Sequence, residues 1–150
     1  LVYRGGPLPV QPGEGDEEAS ARHAVAFLAE VMNAPAEDCA RVEAAILATR
    51  YSVRQERGLE PVSAWMRDVD LSMLGRPPKE YAQYATAVRK GYADIPDRVF
   101  SEARATILAV FLDMADHDEL FTSDWFRARS YNRQAAENLA SELQSLRSLG

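Results

Sequence analysis

The residues of this chain most suited to chemistry are two aspartates and two arginines. Asp68 and Asp70 stand in the run Asp68-Val69-Asp70-Leu71-Ser72-Met73-Leu74-Gly75. At helical spacing Asp70 lies one turn from both Met66 and Leu74, so it borders an apolar stripe. A carboxylate there is costly to bury unless it meets a metal, an arginine or several donors. Two readings stay open: a metal ligand, or a partly exposed aspartate paired with a local arginine. Asp68 points away from the stripe and is expected in solvent. Arg89 and Arg104 fall in the middle of helical segments. A guanidinium matches phosphate bidentately, so either suits an anion in a cleft, and either equally suits a surface ion pair.

Other reactive side chains carry less. His23 sits among polar neighbours, and His117 lies in the acidic run Asp116-His117-Asp118. That spacing matches no standard cation loop, and it reads as a solvated turn. Cys39 falls on an apolar face with Arg41 as its nearest basic neighbour, which places it in the core. There is no nucleophile-elbow pattern and no phosphate-cradling glycine loop.

The elements that must position these groups read as helices throughout. Residues 1–15 hold four of the eight glycines and three of the eight prolines, which predicts an arm or loop. Asp16 is placed to cap a first helix, with Glu17 and Glu18 at the positive end of its dipole and an apolar stripe through Ala21, Ala24, Val25, Leu28, Val31 and Met32. A second helix is predicted from about Glu37 to about Tyr51, with Cys39, Val42, Ile46 and Thr49 on one face. Residues 52–60 are polar and read as a loop.

A third helix should start near Pro61 and stop at Gly75, where Pro77-Pro78 follows. Its predicted inward stripe is Val62, Trp65, Met66, Val69, Met73 and Leu74. Tyr81, Tyr84, Ala85, Val88 and Tyr92 give a fourth helix. A fifth carries a broad stripe of Val99, Phe100, Ala103, Ile107, Leu108, Phe111 and Met114. A sixth should start at Thr122 or Ser123 and run almost to the C-terminus. No segment alternates with period two. The expectation is an all-α fold: one compact bundle of about six helices over residues 16–150.

Composition narrows the partners. With 47% hydrophobic and 27% charged residues the chain is ordinary for a globular protein. A net charge of −6 and scattered basic residues argue against nucleic acid and anionic membrane. No apolar run reaches the roughly 18 residues that a membrane span needs. A single cysteine rules out an intrachain disulfide and fits a cytoplasmic protein.

Several local motifs occur in order along the chain. These are Asp16-Glu17-Glu18-Ala19-Ser20-Ala21, Ile46-Leu47-Ala48-Thr49, the run from Asp68 to Gly75, then Tyr81, Tyr84, Val88-Arg89 and Tyr92, then Phe100, Arg104, Leu108 and Phe111-Leu112, and finally Asn138-Leu139 with Glu142-Leu143. Together this series resembles the C-terminal part of one bacterial branch of the HD superfamily of metal-dependent phosphohydrolases.

The resemblance implies an HD-like helical fold, a divalent metal such as manganese or magnesium, and a phosphate ester or nucleotide as substrate. It implies that Asp70, with Asp68 as second choice, is a metal ligand, and that Arg89 and Arg104 are phosphate contacts. The chain departs from the pattern in one decisive respect: it contains no His-Asp dipeptide, which in the family would fall just before Leu1. Arg50-Tyr51-Ser52 stands where the branch often carries a histidine, and Ala136 where it carries an arginine. One aspartate cannot hold a catalytic metal.

The expectation is therefore a truncated or degenerate phosphohydrolase-like chain that is inactive as it stands. The alternatives are a non-catalytic interaction or homodimerisation module, or a small-ligand-binding protein that uses the vacated cleft.

Overall fold

Prolines and short polar turns divide the chain into helices. The computed structural model describes residues 15–50 and 59–148, and among these it is all-α. The helices are α1 (Asp16–Glu30), α2 (Ala36–Leu47), α3 (Pro61–Leu71), α4 (Pro78–Gly91), α5 (Asp97–Asp116), α6 (Asp124–Arg127) and α7 (Tyr131–Ser148). A 3-10 turn, Ser72–Gly75, follows α3 directly. The predicted arm over residues 1–15 and the predicted loop over residues 52–60 fall largely outside the described residues.

Prolines precede or open four of the helices, where a missing N–H costs nothing: Pro35 before α2, Pro61 opening α3, Pro77-Pro78 at the start of α4, and Pro96 before α5. Gly15, not Asp16, is the N-cap of α1. Asp16 instead lies in the first turn with Glu17 and Glu18, where negative charge meets the helix dipole. α2 ends at Leu47, short of the predicted Tyr51.

The predicted sixth helix is two. α6 stops after one turn, and the chain reverses through Ser130, whose φ of 58° is left-handed and cannot continue a right-handed helix. α7 starts at the next residue.

The chain forms two compact units divided between Val69 and Asp70. In the first, α1 packs on α2. The interface is built from small residues, with Ala19, Ala21, Cys39, Ala45 and Thr49 buried. Arg50 reaches back to Glu18 at 2.6 Å and ties the two helices together at one end.

The second unit has the larger side chains. α7 packs along α5 and against the 3-10 turn, and α4 and α6 complete the assembly. Leu71, Leu74, Tyr81, Leu108, Phe111, Leu120, Phe121, Phe126, Leu139 and Leu143 form its core. Phe121 stacks on Phe126 at 5.4 Å between centroids, and Tyr131 meets Phe126 edge-on at 4.7 Å. Gly75 lies so close to Tyr131 that a Cβ added there would strike its ring.

α3 inverts the sequence expectation. Its predicted inward residues Val62, Trp65, Met66 and Val69 are between 41% and 50% exposed, while Ser63, Arg67, Asp68 and Leu71 are buried. Periodicity locates an apolar stripe but does not say which face the fold covers. A polar face can go inside when its groups have partners, and Arg67 and Asp68 each have one.

Candidate functional site

α4, α5 and α7 of the second unit bring Tyr81, Arg104 and Glu142 to one point. Arg104 donates from Nε to Glu142 Oε1 at 2.8 Å and from Nη2 to Oε2 at 3.2 Å, a bidentate pair. The two side chains are only 11% and 14% exposed. The Tyr81 hydroxyl donates to the same Oε2. Tyr84 packs its ring 5.8 Å from the Arg104 guanidinium carbon and 6.1 Å from the Tyr81 ring.

The electrostatics follow from burial and from the one carboxylate. Burial, then the hydrogen bond to Glu142 and its charge, push the Tyr81 phenol above its ordinary value, so it stays protonated and donates. For Arg104 burial disfavours the charge, but the hydrogen bond and charge of Glu142 outweigh it and hold the guanidinium above its ordinary value. One negative and one positive charge, with a phenol as a third donor to the carboxylate, satisfy each other.

One helical turn back along α7, Asn138 is also buried. Its Nδ2 donates to the carbonyls of Leu74 and Arg76, both at 2.8 Å, and so holds the C-terminal end of the turn that ends the Asp68–Gly75 run. Asn132 does similar work near the start of α7: its Oδ1 accepts from the Phe121 N–H at 2.9 Å and its Nδ2 donates to the Phe121 carbonyl at 3.1 Å. Buried amides used in this way fix backbone that helices leave unpaired.

Arg89, the other arginine singled out from the sequence, sits at the corner joining α4 to α5. It donates to the carbonyls of Tyr92 at 2.6 Å and Ile95 at 3.0 Å and makes two bonds to Asp97 Oδ1, at 2.6 and 3.1 Å. Its guanidinium carbon stands 4.8 Å from the centre of the Phe100 ring. Arg89 and Arg104 therefore occupy separate networks, and each directs donors at a carboxylate of the protein.

The aspartates are placed differently from expectation. Asp68, expected in solvent, is fully buried, whereas Asp70 is only partly buried. The cause is the inverted α3: the polar face that carries Asp68 is the covered one. Both side chains have interaction partners.

A groove of about 510 Å³ runs along the first unit, lined by Glu18, Ala21, Arg22, Val25, Glu43 and Leu47 among others. None of Asp68, Asp70, Arg89 or Arg104 lines it. Among the described residues, no group of three His, Cys, Asp or Glu side chains converges as a metal-binding set. Among those residues too, no helix is long and apolar enough to cross a membrane.

Sequence reasoning passed over Tyr81 and Glu142 as partners of Arg104. A signal was present: Asn132, Ala135, Asn138, Leu139, Glu142 and Leu143 recur at intervals of three and four, which puts the two asparagines and the glutamate on the covered face of α7. Comparisons of the chain with protein-family models, curated proteins and solved structures gave no match.

Proposed function

We propose that this chain is a non-catalytic helical interaction module on a phosphohydrolase-like frame. The observation that carries the reading is the use made of the residues behind the resemblance. Glu142 takes Arg104 and Tyr81, Asn138 takes the carbonyls of Leu74 and Arg76, and Arg89 takes Asp97 and two carbonyls. These side chains hold helices together, and a guanidinium already satisfied by a carboxylate has to break that pair before it can receive a phosphate.

The second reading is the HD-type phosphohydrolase itself, acting on a phosphorylated small molecule with manganese or magnesium. It is favoured by Asp68, a carboxylate withdrawn wholly from solvent within the aspartate signature. In that reading Asp70 or Asp68 is one metal ligand, and the histidine ligands come from outside these 150 residues.

The two readings separate in one experiment. The chain, expressed together with whatever its gene encodes upstream of Leu1, is incubated with p-nitrophenyl phosphate and with a nucleotide panel, with and without manganese, beside D68N and D70N. The module reading expects no turnover above buffer in any sample and no thermal stabilisation by manganese. Metal-dependent turnover that D70N or D68N abolishes would overturn it in favour of the enzyme.

A further inference from the structure

Where α6 gives way to α7, the chain carries three arginines within seven residues, Arg127, Arg129 and Arg133, with no carboxylate between them. All three are exposed, and so is Trp125 beside them. Their lack of carboxylate partners sets them apart. Arg41, Arg50, Arg76, Arg89, Arg98 and Arg104 each stand within ion-pair distance of a carboxylate. Among the described residues Arg127 and Arg133 have no such partner, and Arg129 donates to the Trp125 carbonyl at 3.1 Å. Asp124 and Glu137 lie one helical turn from Arg127 and Arg133 in sequence. Neither pairs with them, and Glu137 accepts from Gln134 instead, at 3.3 Å. In a chain with 23 acidic residues against 17 basic ones, carboxylates are not scarce, so this is a local excess of positive charge on an acidic molecule.

The backbone keeps the three close. The Ser130 N–H donates to the Arg127 carbonyl and the Gln134 N–H to the Ser130 carbonyl, both at 3.1 Å. Two successive turns therefore hold the Cα atoms of Arg127 and Arg133 within roughly 12 Å of each other. An extended segment of four residues covers about 13 Å, which matches that spread. Arg129 is also held in place: its guanidinium carbon lies 4.0 Å from the centre of the Trp125 ring. A stacked guanidinium loses less freedom on meeting a carboxylate, and the rest of its fork of N–H groups stays available.

We propose that this patch docks a short acidic segment of a partner protein, its carboxylates received by Arg127, Arg129 and Arg133. The fork of a guanidinium fits a carboxylate through two parallel hydrogen bonds. Nucleic acid and anionic bilayers present the same sign of charge, but each extends well past a patch of this size and meets the surrounding surface of a chain whose net charge is −6. A short peptide meets the patch alone, because charges beyond about 8 Å are largely screened at physiological salt. One face of the Trp125 indole is taken by Arg129, which leaves less aromatic surface for a stacked base. The acidic partner deepens the module reading and rests on it. Metal-dependent turnover would remove that reading, whereas the docking is read from binding alone.

Fluorescence anisotropy of the full chain is measured with a labelled oligoglutamate peptide, its oligoglutamine counterpart, a single-stranded RNA oligomer and phosphatidylserine vesicles. Oligoglutamate is expected to bind tighter than about 1 mM at an ionic strength of about 0.05 M, and to weaken as salt is added. R127E/R133E should weaken it at least roughly ten-fold. R41E/R98E, which changes net charge equally but at paired arginines elsewhere, should weaken it less than about three-fold. R129K keeps the charge, loses the stacked fork and should weaken it about two-fold. Circular dichroism of each variant checks that the helices remain. Oligoglutamate binding that R127E/R133E leaves unchanged, an equal loss in R41E/R98E, oligoglutamine bound as well, RNA or vesicles bound more tightly than the peptide, or no binding at all would each overturn the proposal.

Discussion

The two arginines flanking the α4–α5 corner show how differently one residue type can be used within a few turns of helix. Arg104 lies in the seam of α4, α5 and α7, nearly out of solvent, and its carboxylate partner is 38 residues away in sequence. Arg89 caps a local corner, and its partners lie within eight residues. The first joins α5 to α7, helices that are not neighbours in the chain. The second finishes a turn that the chain reverses through anyway, and its partner Asp97 is 89% exposed. The lesson is that desolvation and sequence separation, more than the number of hydrogen bonds, set what an arginine contributes.

The largest effect should come from breaking the seam. E142A leaves the Arg104 guanidinium and the Tyr81 hydroxyl without their shared acceptor. A cost of about 3 kcal/mol is expected in urea unfolding, at the low end for a buried pair because both partners keep some exposure. R104M/E142L, which removes both charges, should recover much of that loss. If E142A costs no more than R89A, the contrast between seam and corner fails.

N138A comes next. It orphans the Leu74 and Arg76 carbonyls together, at roughly 2 kcal/mol, and should speed amide exchange at Asn138's own helix less than in the 3-10 turn. R89A should cost only about 1 kcal/mol, because solvent replaces most of what a third-exposed side chain gives up. Its effect should be confined to the corner when mapped by hydrogen exchange.

The smallest effect concerns His117 at the C-terminal end of α5. Its Nδ1 lies 2.7 Å from the Asp113 carbonyl, which, followed by the Asp113 carboxylate, raises its pKa above the ordinary value of 6.5. An NMR titration should therefore show His117 holding its proton to a higher pH than a free histidine. D113N should remove only part of the rise, since the backbone carbonyl stays. The raised value means the protonated form favours the fold. That contribution is complete below the unfolded pKa and fades as pH climbs through the folded one.

Much of this architecture was legible before any coordinates. Pro61 marked the start of the third helix and Pro77-Pro78 the stop after it, and the stripes read for the fourth and fifth helices fall in or directly beside α4 and α5. What stayed hidden has a common physical form. The inversion of α3 turns on whether Arg67 and Asp68 find partners, and periodicity is blind to partners. The break at Ser130 needed a left-handed residue with no glycine to announce it. The broad stripe of α5 was seen, but a stripe does not show that only half of it would be covered. Of the candidate site, Arg104 was named from sequence while its true counterpart lay unremarked inside a matched motif. Pairing across 38 residues depends on tertiary packing, and spacing alone does not reveal it.

Asn138 grips the carbonyls of Leu74 and Arg76 across 64 and 62 residues, and Glu142 reaches Tyr81 across 61. Within the second unit, α7 is the last helix to leave the ribosome. Until it emerges, the 3-10 turn has open carbonyls and Arg104 an open charge, so the nascent unit is a set of loosely held helices waiting for its final strut. Chaperone dependence and proteolytic vulnerability during synthesis should therefore concentrate in the interval before α7 is made.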